Sequence, residues 1–275
     1  MRAFVQAIVW VCAAWLAGCA TYPSGRFESK LDSILTSEHR SAEHRARDRF
    51  RHPQETLEFF GLRDDMTVVE VWPGGGWYTE ILAPFLKDRG TLYAALLDPA
   101  GGAYARETVD AYRAKLAARP DLYDNVIVTT LSANAASAIA PPGSADLVLT
   151  FRNLHNWMMF GWERQALQQM FDALKPGGVF GIVEHRGDPT RPQDPKAVSG
   201  YVNEAYAIAL IESVGFKLVG KSEVNANPLD TKDYPQGVWS LPPNFAANRN
   251  QRARLEQIGE SDRFTLKFVK PEAAP

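Results

Sequence analysis

The chain has 275 residues, of which 45% are hydrophobic, 11% aromatic and 23% charged, so it can bury a core and is neither disordered nor fibrous. Its formal net charge of −2 excludes the strongly basic balance of a nucleic-acid binder, and none is expected as a partner. The length admits one large domain or two small ones.

Arg2 precedes an apolar run from Ala3 to Leu16 that is broken only by Gln6 and ends in Leu16-Ala17-Gly18-Cys19. Such a run is short for a bilayer span and closes on small residues, so residues 1–18 are expected to be a cleaved signal peptide. Its ending resembles a bacterial lipobox, which implies that Cys19 is lipidated and anchors the chain to a membrane. Ala20 follows the Cys, and the same resemblance then implies the outer membrane, facing the periplasm. Cleavage removes Cys12, leaving Cys19 no partner for an internal disulfide.

Residues 19–37 are polar with early Pro and Gly and are expected to form a tether. The next stretch, "SEHRSAEHRARDRF", is charged all round and predicts a surface helix. Its "RARDRFR" is open to two readings, a cap for an acidic substrate or a solvated face. "PQETLEFFGL" predicts a short helix between a starting Pro53 and a terminating Gly61.

A single domain is expected over residues 38–270, with 271–275 as a tail. Apolar, strand-like runs at 67–72, 91–97, 125–130, 146–151 and 179–185 alternate with helical patterns at 78–86, 103–118 and 162–174. That order predicts an α/β, Rossmann-like fold whose mostly parallel sheet carries helices on both faces. "AVSGYVNEAYAIALIESVGFKLV" then reads as a helix, a stop at Gly215 and a strand, and "DRFTLKFV" as a closing strand. Between them, the Pro- and Asn-rich loop 225–250 carries Tyr234, Trp239 and Phe245, which suits either a lid over a pocket or packing on the sheet edge.

Within "TVVEVWPGGGWYTEIL", residues 67–82, three glycines leave a buried strand and lead into a helix. They let a ligand approach the backbone, and the helix start offers free N–H groups. A dinucleotide fingerprint would place its third glycine at 79, where Thr79 stands, so a nicotinamide pocket fits poorly. Asp98 ends the second strand, where a carboxylate can accept both hydroxyls of a ribose. A Pro-Gly-Gly turn inside "ALKPGGVFGIVEH" leads into the fifth strand.

Together these features resemble the class I S-adenosylmethionine-dependent methyltransferases. The stretch "LTFRNLHNWMMFGWERQALQQMFDALKPGGVFGIVEH" looks like the quinone-biosynthesis C-methyltransferase branch or a close relative. The resemblance covers residues 66–185 well and implies a seven-stranded sheet whose antiparallel last strand is inserted between two others. It implies S-adenosylmethionine as cofactor, with Glu70, Gly74, Gly75 and Gly76 as the first motif, Asp98 at the ribose, Asn134 at the adenine, and Phe151 and Arg152 beneath the bound cofactor. Glu70 stands where Asp is commoner, and Asn134 where the family usually has an acid.

Methyl transfer from a sulfonium needs alignment and exclusion of water, and a base only when the acceptor must lose a proton. His155, past the fourth strand, and His185, at the end of the fifth, are the candidates, each open to being a solvated loop residue. Trp77, Tyr78 and Trp157 are candidates for facing a cation, with core packing expected of at least one of them. No metal is expected, because His39 and His44 fall on different faces of the predicted helix and adjacent Glu184 and His185 point opposite ways along a strand. Two functions stay open: an exported methyltransferase acting on a small-molecule acceptor, and an inactive binding module of that type for another adenosine or apolar ligand. Oligomeric state is not legible.

Overall fold

The computed structural model describes residues 24–133, 138–246 and 249–272; the signal segment, Cys19 and Asn134 lie outside them. Helices α1 (Ser24–Leu35), α2 (Ala42–Arg45), α3 (Asp48–Arg51) and α4 (Pro53–Phe60) precede the first strand. Then follow β1 (Thr67–Val71), α5 (Thr79–Leu86), β2 (Thr91–Leu96), α6 (Ala103–Ala118), α7 (Pro120–Tyr123), β3 (Val126–Thr130), β4 (Ala145–Phe151), α8 (Leu154–Phe160), α9 (Glu163–Ala173) and β5 (Leu174–His185). The chain closes with α10 (Glu204–Glu212), β6 (Lys217–Ser222), α11 (Arg252–Ile258) and β7 (Arg263–Val269).

One seven-stranded sheet runs in the order β3-β2-β1-β4-β5-β7-β6. Strands β1 to β5 pair in parallel, and β7 lies antiparallel between β5 and β6, as expected. β5 begins earlier than expected because Leu174 already pairs with Ala145, with a register shift before Leu147 meets Val179.

Alternation along β1 builds both faces of the core. Val69 and Val71 face α8, α9 and α10, in a layer with Trp157, Met170 and Ile211. Val68 faces the opposite layer, with Ile81 and Phe85 of α5 and Leu57 of α4. Glu70 has the parity of Val68, which directs its carboxylate to the α5 side.

The expected tether is largely structured: from Ser24 it forms α1, whose Phe27, Leu31 and Ile34 are buried against α4 and α5. A polar average hid an apolar stripe at helical spacing. Burial of those three side chains contributes on the order of 5 kcal/mol before entropy is counted.

The expected charged surface helix is also replaced, by two short helices that bring Arg40 and Arg51 into buried positions. Pro84 inside α5 has no N–H to donate to the Glu80 carbonyl, and His39 Nε2 lies 2.8 Å from that oxygen. His44 Nδ1 lies 2.9 Å from the Glu80 carboxylate, so both histidines converge on one residue rather than on opposite faces. Among the described residues, no helix is long and apolar enough to cross a membrane.

Candidate functional site

The turn after β1 is the strained part of the sheet's carboxyl edge. Trp72 has φ +47°, Gly74 +59° and Gly76 +78°, and Gly76 N–H closes the turn on the Pro73 carbonyl at 2.9 Å. Gly74 and Gly75 are exposed, whereas Gly76 is buried, and a Cβ there would meet the Tyr112 ring at 3.2 Å. Beneath the loop, Thr79 Oγ1 donates to Glu70 Oε2 at 2.6 Å and lies 2.9 Å from the Tyr112 hydroxyl. Burial pushes the Glu70 carboxyl up to about 7 against the pull of the Thr79 bond and the Lys115 ammonium. The residue that breaks the dinucleotide fingerprint is the one that holds the acid.

A cavity of about 760 Å³ opens at the ends of β1, β2 and β4, walled by Gly74, Asp98, Tyr104, Leu131, Trp162 and Trp239 among others. Asp98 serves its own turn as well: Oδ1 accepts the Ala100 N–H at 2.9 Å, while Oδ2 has no partner among the described residues. Trp239 reaches this cavity from the loop 225–250, whereas Tyr234 and Phe245 line neither cavity. The loop is anchored where Tyr201 donates to both oxygens of buried Asp230, at 2.9 and 3.0 Å, and Asp230 accepts the Asp262 N–H.

A second cavity, of about 240 Å³, shares Trp72, Pro73, Gly74 and Asn153 with the first. Glu70, Gly75, Tyr78, Phe151 and Arg152 line this one and not the first, and Gly76 lines neither. Phe151 and Arg152, expected beneath the bound cofactor, thus share this second cavity with Glu70 and Gly75 of the first motif. Phe151 stacks flat on Tyr78, with centroids 3.5 Å apart and planes 11° off parallel. Arg152, at φ +61°, leaves the strand line with its N–H bonded to the Val183 carbonyl.

Trp157 is fully buried against Trp72 and so belongs to the core. Trp77 does face cations, but they are Arg40 and Arg51, at 5.1 and 4.7 Å from its ring. Burial pushes the Tyr78 phenol up to about 12, so it is neutral at physiological pH.

Sequence reasoning passed over Asn153, whose amide donates to the Val71 carbonyl at 3.0 Å and the Thr150 hydroxyl at 3.1 Å, tying the ends of β1 and β4 together. It also passed over a charge cluster assembled from both ends of the chain. Buried Glu260 accepts from Arg47 Nε at 2.6 Å, Arg51 Nε at 3.3 Å and Arg263 Nη2 at 2.6 Å. Burial alone would raise its carboxyl, but the Arg263, Arg51 and Arg47 guanidiniums outweigh that and hold it far below the usual carboxylate range. Only "RARDRFR" carried a signal for it.

His155 and His185 line neither cavity and stand behind Trp239, with the His155 ring 5.9 Å from the indole and 5.3 Å from His185. The Glu184 carboxylate meets three donors: His155 N–H at 3.2 Å, His155 Nδ1 at 3.0 Å and its neighbour's His185 N–H at 2.8 Å. Because a carboxylate only accepts, His155 carries a proton on Nδ1, which fixes the ring against Glu184. Burial, then His155 and the nearby arginines, hold His185 well below the ordinary histidine range, and its Nδ1 pairs with Ser261 at 2.5 Å.

Ligand atoms of His155, Glu184 and His185 all lie within 4.8 Å of one another, so the expectation that strand alternation separates Glu184 from His185 fails. The Glu184 carboxylate curls back onto its neighbour's N–H. With three donors on that carboxylate and three guanidiniums acting on His185, the arrangement suits a dication poorly.

No family model matches the chain, and no curated protein does. Solved structures do. A SAM-dependent methyltransferase from Aquifex aeolicus is 18% identical, with TM-score 0.55 over 82% of this chain and 93% of that one. The cyclase SpnF is 14% identical, with TM-score 0.58 over 90% and 93%. A protein described as a putative sarcosine dimethylglycine methyltransferase from Galdieria sulphuraria is 14% identical, with TM-score 0.53 over 84% and 86%. At these identities the likeness is one of fold, and the chain has the Rossmann-like fold that S-adenosylmethionine-dependent methyltransferases adopt.

Proposed function

We propose that the protein is an S-adenosylmethionine-dependent methyltransferase acting on a small molecule, carried on an envelope lipoprotein anchored through Cys19. The observation that supports it best is the main cavity at the β1, β2 and β4 ends, where Gly74 leaves open space and Asp98 keeps one carboxylate oxygen without a partner among the described residues. Both suit an adenosine compound. Its volume, about 760 Å³, suits a cofactor of this size.

When bound, S-adenosylmethionine supplies a methyl group already activated on sulfur. Asp98 would hold the ribose hydroxyls, and Leu131, Tyr104 and Phe160 would flank the base. Glu70 sets the glycine loop through Thr79. Trp239 and Trp162 keep water out, which favours transfer by alignment alone. His155, oriented by Glu184, and His185, held neutral and paired with Ser261, both stand behind Trp239 and line neither cavity, so neither is assigned as a proton acceptor. The fold alone does not select methyl transfer, because a cyclase shares it.

Equilibrium binding of S-adenosylmethionine to the wild type, to Asp98→Ala and to Asp98→Asn tests the assignment. Loss of affinity is expected in both variants. Binding of a different adenosine compound in preference to S-adenosylmethionine would instead favour the inactive-module reading.

A further inference from the structure

The second cavity has an unbalanced charge. Arg47, Arg51 and Arg152 line it, with Arg263 behind them; Glu260 pairs with Arg47, Arg51 and Arg263, and Glu70, the one carboxylate in the cavity lining, is bonded to Thr79. His44 adds nothing to the balance, because it is paired with Glu80. Arg152 makes no side-chain hydrogen bond or ion pair among the described residues, yet it is only partly open to solvent. Burial and the Arg263 guanidinium push it down to about 10, a sign that the site disfavours another cation. At least two positive charges are therefore left facing a space large enough for a small anionic group.

The amino-acid end of a cofactor brings one carboxylate and one ammonium, so it leaves the net excess in place even where its carboxylate meets an arginine. The cavity adjoins the main one through Trp72, Pro73, Gly74 and Asn153, so a molecule held here would present its remainder to the shared wall. We propose that the second cavity is the acceptor subsite, and that it selects a small molecule bearing a carboxylate or phosphate, gripped by Arg152 with Arg47 and Arg51 beside it. The word acceptor rests on the methyltransferase reading; the anion site does not. A guanidinium fork suits such an oxyanion because it donates two parallel bonds.

The test is calorimetric titration of the mature protein with inorganic phosphate at low ionic strength, for the wild type, Arg152→Met and Arg152→Lys. Saturable binding by the wild type is expected, weakened about tenfold or more in Arg152→Met and partly restored in Arg152→Lys. Arg152→Met should unfold at a temperature no lower than the wild type, since it removes a cation from a positive cluster, so lost binding is not lost folding.

Phosphate should still bind to protein saturated with S-adenosylhomocysteine. Absence of saturable phosphate binding, or equal binding by Arg152→Met, overturns the site. Should S-adenosylhomocysteine abolish phosphate binding while methylthioadenosine, which lacks the amino acid, leaves it intact, the cluster serves the cofactor's own carboxylate and the acceptor assignment is wrong. If neither nucleoside binds, the methyltransferase reading fails, while the phosphate titration still decides the anion site.

Discussion

Thr79 Oγ1 donates a 2.6 Å hydrogen bond to Glu70 Oε2, joining the end of β1 to the first turn of α5 beneath the glycine loop. Its acceptor is a fully buried carboxyl pushed up to about 7. An acid whose folded value lies above its unfolded one takes up protons on folding, so stability falls as pH rises from the ordinary glutamate range to about 7. Glu70→Gln should remove that slope, matching the wild type near pH ~5 and exceeding it near pH ~8 by on the order of 1–3 kcal/mol. Urea unfolding at both values measures it; an unchanged slope would mean that Glu70 is not the titrating group.

Asp98 contributes to its turn and, on the proposed function, to the ribose. Asp98→Asn keeps an oxygen for the Ala100 N–H but loses the charge, whereas Asp98→Ala loses both. S-adenosylmethionine affinity should fall roughly tenfold in the first and about a hundredfold in the second, from about 1.5–3 kcal/mol for each bond to a charged group. Equal affinity in wild type and both variants removes Asp98 from the site.

His155 should be found as the Nδ1–H tautomer in nitrogen NMR of histidine-labelled protein, because Glu184 Oε1 lies 3.0 Å from Nδ1. Glu184→Gln, with a side-chain amide able to donate, should shift the ring toward the Nε2–H form. A wild-type spectrum already showing Nε2–H contradicts the orientation assigned to His155.

Tyr201→Phe tests the anchor of the loop that carries Trp239. Removing the donor leaves the buried Asp230 carboxylate short of a partner that now serves both its oxygens, and burial already raises that carboxyl. A loss of roughly 1–3 kcal/mol is expected, with faster proteolysis in residues 225–250. Unchanged cleavage would show that the loop is held elsewhere.

Cys19→Ser should release the protein from membranes if the proposed lipid anchor exists. Fractionation of the mutant with membranes as before, together with an unmodified wild-type N-terminus by mass spectrometry, rules the anchor out.

Much of the sheet was legible because buried parallel strands carry continuous apolar runs, as in 67–72 and 146–151, and because Gly215 and Gly61 mark helix ends. The N-terminal elements were not. α1 hides Phe27, Leu31 and Ile34 among polar neighbours, and local charge density concealed the burial of Arg40 and Arg51. Gly74 and Asp98 could be placed at the main cavity from local motifs. The grouping of Arg47, Arg51, Arg152 and Arg263 around Glu260 could not, since it joins residues some two hundred positions apart, as in the pair Arg47 and Glu260. The position of Phe151 and Arg152 at the end of β4 was legible, but the left-handed backbone at Arg152 was not, since it follows from its tertiary setting and has no sequence signal.

Calorimetric titration of the mature domain with S-adenosylmethionine and with S-adenosylhomocysteine decides whether this fold holds the proposed cofactor. Saturable binding of both, at a single site and weakened by Asp98→Ala, is the predicted result. A folded protein that binds neither would contradict it.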